Sequence, residues 1–249
     1  MAPPRPLLAA LLGALLVSGL APARAANPTP AQLQALEAAL NVDGDSALAG
    51  LLQAGPGLDP AEIQNRRRLL RGQFPDLRWQ VGSGVPRRSG QPTVSVKVSG
   101  TRREGPTTFR LDAEQLLLLQ SEAGRFTGQT VLREQSFLRS GEQVPSVSLM
   151  IPDAVLTGQR YDVDVIFDEP LNGVITAGGI TALTPEQVAA MESPTVELAA
   201  QEAGGLFKTV QAPLRPGAQT LAVLLIHPRG VISATKRVRV VADRAALDF

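Results

Sequence analysis

Beyond Pro75 the apolar residues stop recurring at helical intervals and begin to alternate. Leu77, Trp79 and Val81 fall on one side of an extended chain, with Arg78 and Gln80 on the other. Val94, Val96 and Val98 alternate in the same way with Ser95, Lys97 and Ser99. Thr107 to Gln120 and Arg125 to Leu138 read as two long partners joined at Ser121-Glu122-Ala123-Gly124. A side-chain period of two gives each strand one apolar face, and that face has to be covered by another layer.

The segment before Pro75 supplies a cover. Thr29-Pro30-Ala31-Gln32 is a helix start in which the threonine hydroxyl can accept from the N–H three residues on and the glutamine can reach back. Leu33, Leu36 and Leu40 then recur at helical spacing. NVDGD, residues 41 to 45, breaks that helix, and Leu48, Leu51 and Leu52 mark a short second one from an Asp45 cap. Asp59-Pro60-Ala61-Glu62 opens a third, with Ile63, Leu69 and Leu70 as its apolar side and Gly72 at its end. At 100° per residue Arg66, Arg67, Arg68 and Arg71 spread over the side and back of this third helix, as on a solvated face. No aromatic interleaving or second basic region turns them into a nucleic-acid groove. The reading is three helices over a sheet of about four mostly antiparallel strands.

A different pattern begins near Val144-Pro145. VSLMI, RYDVDVIFDE, VITAGGITAL, TVELAA, LFKTVQA, TLAVLLIHP and VISATKRVRVV are short strand-like runs punctuated by Gly, Pro, Asn and Asp. Some seven strands in about a hundred residues suit an immunoglobulin-like β-sandwich, here without the cysteine pair and tryptophan of antibody domains. One helical insert, from Thr184-Pro185-Glu186-Gln187 to about Met191, repeats the start signal of the first helix.

Leu7 to Leu20 is an apolar run preceded by Arg5 and followed by Ala23-Arg24-Ala25, the pattern of a secretory signal peptide cut before Ala26. Its 14 residues, at about 1.5 Å each, reach roughly 21 Å, short of a hydrocarbon core of roughly 30 Å. Removing residues 1–25 takes away two arginines and leaves 22 basic against 23 acidic side chains. A chain so near neutrality has no global field to draw it to polyanions. No later stretch has membrane-spanning length, so the expected location is beyond the cytoplasmic membrane, in a periplasm or thylakoid lumen. With no cysteine in the chain, disulfides, thiol catalysis and cysteine zinc sites are excluded.

The "NVDGD" turn, the helix running into "FPDLRWQV" and the long strands closing in "VLREQSFLRSG" resemble the nuclear transport factor 2-like (SnoaL-like) superfamily over residues 27 to 141. Followed by a secreted β-sandwich, the arrangement resembles a group of uncharacterised cyanobacterial exported proteins. The resemblance implies an α+β cone, three helices on a curved antiparallel sheet enclosing an apolar pocket. It also implies homodimerisation through the cone-domain sheet, and members include isomerases, cyclases, dehydratases and proteins that only bind. A carotenoid-binding relative implies a Tyr and Trp pair, of which only Trp79 is present in this half.

The expected organisation is thus a signal peptide at 1–25, a nuclear transport factor 2-like domain at 26–143, an immunoglobulin-like sandwich at 144–242 and a flexible tail at 243–249. Trp79, Val96, Phe109, Phe137 and Glu134 are the candidate pocket lining. Proton-transfer catalysis in the cone would need a suitable His, Tyr or carboxyl group. The single histidine, His227, and single tyrosine, Tyr161, lie in the second half, and Asp76 sits in a Pro-Asp turn that commonly ties up its carboxylate. No catalytic residue, metal or cofactor is therefore assigned. Asp162, Asp164 and Asp168 share one strand face as solvated groups rather than a calcium site, and the glycine pairs at 178–179 and 204–205 lack the setting of a phosphate loop. The expected function is a non-catalytic binding or assembly module with a protein partner or a second copy. Its alternative is a small apolar ligand carrier, or an isomerase or dehydratase-like enzyme, using the cone pocket.

Overall fold

The computed structural model describes residues 26–141, 143–201 and 204–247. The expected signal peptide at 1–25 lies outside the described residues, as does the very end of the tail.

Three helices come first: α1 (Pro30–Asn41), α2 (Ser46–Leu51) and α3 (Pro60–Gln73). Thr29 and Gln32 form the reciprocal cap of α1, and the Asp59 carboxylate accepts from the N–H groups of Ala61 and Glu62 to start α3. Four strands follow, β1 (Arg78–Ser83), β2 (Val94–Glu104), β3 (Thr107–Glu122) and β4 (Arg125–Ser140), each antiparallel to the next. The β3–β4 hairpin turns at Ala123 and Gly124, both with positive φ, as a tight two-residue turn between twisted strands requires.

The second half adds β5 (Val147–Met150), β6 (Ala154–Leu156), β7 (Arg160–Phe167), β8 (Thr176–Leu183), α4 (Pro185–Ala190), β9 (Ala199–Gln201), β10 (Gly205–Gln211), β11 (Gly217–His227) and β12 (Gly230–Val241). β5, β7 and β10 form a three-stranded sheet in the order β10-β7-β5. The other strands do not make a second separate body. β12 pairs antiparallel with β4 over seven residues, from Val231 opposite Ser140 to Arg237 opposite Glu134. The result is one nine-stranded sheet, ordered β1-β2-β3-β4-β12-β11-β8-β9, with β6 joined parallel to β12.

This corrects the expected fold class. The first half is not an α+β cone with a closed curved sheet of its own, and the molecule is predominantly antiparallel β with one large sheet running through both halves. The all-β character of the second half is compatible with the structure. Alternation in a sequence tells which face of a strand is apolar, but it does not tell which strand lies beside which, and the edge of β4 is taken by a strand about a hundred residues away.

The covered face of the sheet changes at that seam. Across β1 to β4, Trp79, Val94, Val96, Leu111 and Leu117 point toward the helices and pack with Leu33, Leu36, Leu40, Leu48 and Phe74. Across β12, β11 and β8 the opposite face is the buried one. There Val223, Leu225, Ile232 and Ala234 meet Val147, Val165, Phe167 and Leu206 of the three-stranded sheet, and Leu221, Val238 and Val240 meet Val155, Tyr161 and Val163. β4 serves both cores, with Leu138 against the helix side and Phe137 against the sandwich side. Parity along one strand makes that possible, since adjacent side chains point to opposite faces.

The free edge of β1 is closed by side chains of α1. Asn41 accepts from the N–H of Trp79 at 3.0 Å and donates to its carbonyl at 2.8 Å, and the Glu37 carboxylate accepts from the N–H of Val81 at 2.7 Å. An amide and a carboxylate thus stand in for a neighbouring strand and block pairing with another chain.

Candidate binding surface

Of the five residues expected to line a pocket, Trp79 and Val96 are brought together, both buried in the helix-covered cluster. Phe109 is on the same face near the end of the sheet, half-buried beneath the Arg102 guanidinium, whose Cζ lies 4.8 Å from the ring centroid. Glu134 is also on that face, held by Gln115 Nε2 at 2.9 Å and Arg66 at 3.0 Å, with Arg237 Nε at 3.9 Å. Phe137 is an odd number of residues from Glu134 and points through to the other side, where Arg139 stacks on it at 4.7 Å.

The arginines of α3 do not form one solvated face: Arg68 is exposed as expected, Arg66 and Arg71 are half-buried and Arg67 is buried. Arg67 is only 3% exposed, in register with Ile63 and Leu70 on the stripe that meets the core. Its Nε donates to the carbonyl of Leu40 at 3.0 Å, one terminal nitrogen donates to Asp45 at 2.9 Å and the other to the carbonyl of Val42. Arg71 donates to the carbonyls of Leu40 and Asn41 and lies 5.4 Å from the Trp79 ring. Two guanidinium groups therefore satisfy the carbonyls left unpaired where α1 ends, and their charge opposes the negative end of its dipole. Asp45 lies at the start of α2 but makes no side-chain cap there, because its carboxylate pairs with Arg67 and Arg68.

The groups that could move protons are engaged in local structure. Asp76 accepts from both the hydroxyl and the N–H of Thr101, and these bonds hold its carboxyl below the usual carboxylate range. Burial pushes the Tyr161 phenol up to about 12, and its hydroxyl donates to Gln219 at 2.8 Å. His227 ends β11, where its Nδ1 accepts from the N–H of Arg229 at 3.1 Å and its ring lies 6.0 Å from that of Phe167. Burial first, then the Arg229 charge, pushes the imidazole below its ordinary value of 6.5, against a smaller upward pull from Glu169.

That shift carries a prediction. Because the folded state holds the proton less well than the unfolded chain, the stability it contributes is present above pH 6.5 and is lost as pH falls from there toward the folded pKa. Urea midpoints measured from pH 7.5 to pH 5 should fall, and His227→Asn should flatten the part of that slope that sets in as pH drops below its unfolded pKa of about 6.5. Equal slopes in the two proteins would contradict a neutral His227 in the fold.

The open feature is the face of β1 to β4 turned away from the helices. Its cross-strand rows read Gln80-Lys97-Glu114-Gln135, then Arg78-Ser99-Asp112-Phe137, then Thr101-Arg110-Arg139. A shallow cleft of about 300 Å³ runs over the first two rows. Arg139 pairs with Asp112 at 2.8 Å, and Gln135 donates to Glu114 at 2.8 Å. Lys97, Arg103 and Arg110 are exposed, and none of the described carboxylates pairs with them. Arg110 stands directly opposite Arg139, an arrangement of like charges that destabilises an isolated sheet. A second open cleft of about 560 Å³ lies at the end of α3, against the β2–β3 hairpin, and includes Asp76, Thr101 and Arg103. Alternation in the sequence marked Arg78 and Lys97 as polar strand positions. That they lie uncovered follows only from the covering layer moving to the other face at β4.

Residues 142–241, β5 to β12, match a family model described as Domain of unknown function (DUF8623). The match begins between β4 and β5, so the strands carrying the open basic face lie outside it. Comparison with curated proteins gives no match. Among the described residues no helix is long and apolar enough to cross a membrane, and no group of three or more His, Cys, Asp or Glu is placed to hold a metal ion.

Proposed function

We propose that the protein is an exported, non-catalytic binding or assembly module whose contact surface is the open face of β1 to β4. The observation that carries this reading is the set of uncovered cations on that face, three of them without a described carboxylate partner and Arg110 opposite Arg139 in one cross-strand row. Such a row is costly in isolation and is relieved when an acidic surface covers it. The packing of Trp79 and Val96 into a continuous core supports an external contact surface over an interior pocket. The hydrogen-bonded states of Asp76, Tyr161 and His227 support binding over proton transfer.

A photo-reactive side chain installed in place of Lys97 tests the proposal in the cell that produces the protein. Covalent adducts are expected from position 97 and not from Leu214, an exposed residue on the other half of the chain. Adducts from neither position, or equally from both, would remove the open face as a specific contact surface.

A further inference from the structure

The geometry points to a second copy of this chain as the partner of the basic face, docked through the outer side of its three-stranded sheet. This rests on the reading of that face as the contact surface and adds what covers it. The outer side of the small sheet carries Asp162, Asp164 and Asp168 against a single cation, Arg160. The basic face carries Arg78, Lys97, Arg103, Arg110 and Arg139 against Asp112, Glu114 and the Asp76 carboxylate bonded to Thr101. Asp164 has no ion-pair partner among the described residues, and in register it stands between Met150 and Phe207, which are 61% and 54% exposed. Two large apolar side chains flanking a free carboxylate match the half-buried Phe137 ring among the arginines.

Shape gives the same answer. The small sheet covers the sandwich-side face of β12, β11 and β8 and stops at β4, where Phe137 packs against the cluster that includes Val147. The basic face of β1 to β4 lies on that same side of the large sheet and is one layer lower. Packed sheets stand about 10 Å apart, so the step is about the depth of one sheet. A two-fold rotation puts the small sheet of each copy into the step of the other, in the same middle layer. Both contacts then form at once and the assembly closes as a dimer instead of growing as a fibre. The outer side of the small sheet, three strands of four, eight and seven residues, offers roughly 300 Å² at about 4.8 Å spacing and about 3.4 Å per residue, and each partner buries both that side and a matching part of its basic face, roughly 600 Å² in all. That is below the roughly 800 Å² per partner of a standard stable interface and at the lower end of the standard range.

The test is sedimentation equilibrium of the full chain as processed by the cell, at low and high salt, with two charge-reversed proteins. Lys97→Glu/Arg110→Glu reverses the basic face, and Asp162→Lys/Asp164→Lys reverses the small sheet. The wild type should be a dimer whose dissociation constant rises with salt. Each variant alone places like charges across both contacts, and its dissociation constant should rise about 100-fold or more. An equimolar mixture restores attraction at both contacts and should dimerise within about tenfold of the wild type. Urea unfolding of each variant shows that it is folded, and Met150→Lys/Phe207→Lys replaces the small-sheet variant if that one is not. A monomeric wild type, unchanged dimers in the variants, or a mixture that stays monomeric overturns the inference. Adducts from position 97 to a different protein, with the chain itself monomeric, overturn self-docking and leave the contact surface standing. No specific adducts from that position remove both.

Discussion

Asp153→Ala should lower folding stability by about 3–5 kcal/mol, the usual loss when one partner of a buried ion pair is removed. Lys236 is only 3% exposed, and its ammonium lies 2.5 Å from one carboxylate oxygen of Asp153 while Arg133 Nε donates to the other at 2.8 Å. The position matters because β4 and β12 part company just there. Their ladder ends at Glu134 and Arg237, and Arg237 and Arg239 continue it by donating to the carbonyls of Val131 and Leu132. The backbone of Asp153 accepts from Arg239 N–H at 2.9 Å, at the start of β6. Its side chain thus pins the fork between three strands. Removing the carboxylate strands a buried ammonium, whereas Asp153→Leu with Lys236→Met should recover most of the loss because neither charge is then left unpaired. Urea unfolding of the three proteins measures this, and an Asp153→Ala protein as stable as the wild type would contradict it.

Arg67→Ala should cost about 3 kcal/mol, since the carbonyls of Leu40 and Val42 and the carboxylate of Asp45 each lose a donor at a site largely closed to water. Arg67→Lys should regain less than half of that, because a single ammonium cannot reproduce a planar fork reaching three acceptors. The comparison separates a general need for positive charge from the specific closing of α1. Full rescue by lysine would show that charge alone matters there. Thermal or urea unfolding measures it, and loss of protection at the amides of α1 would place the damage at that helix.

Local features of this fold are written plainly in the chain. The reciprocal caps at Thr29 with Gln32 and at Thr184 with Gln187 involve residues three apart, and each begins a helix where the sequence places it. Alternation fixes which residues of β1 to β4 face the helices, and Trp79 and Val96 are buried accordingly. What alternation omits is adjacency, and so the pairing of β4 with β12 was not legible. Arg67 misled for a related reason. Its place in the helical stripe of Ile63 and Leu70 was countable, but arginine is so seldom buried that only the nearby carbonyl ends of α1 explain it. Lys236 was equally hidden, because its partner Asp153 is 83 residues away. The candidate pocket combined residues of two faces, although the odd spacing between Glu134 and Phe137 already sent them apart.

The seam between β4 and β12 has a consequence for how the molecule comes undone. Severing the polypeptide near residue 143 would not release two finished bodies. Each fragment would be left with a raw lip of amides and carbonyls along a long strand, and with half of an interior that the other half had been closing. Heat or denaturant should therefore take both halves in one concerted collapse, and the C-terminal portion, the part similar to a family model, would need some substitute for β4 to stand alone.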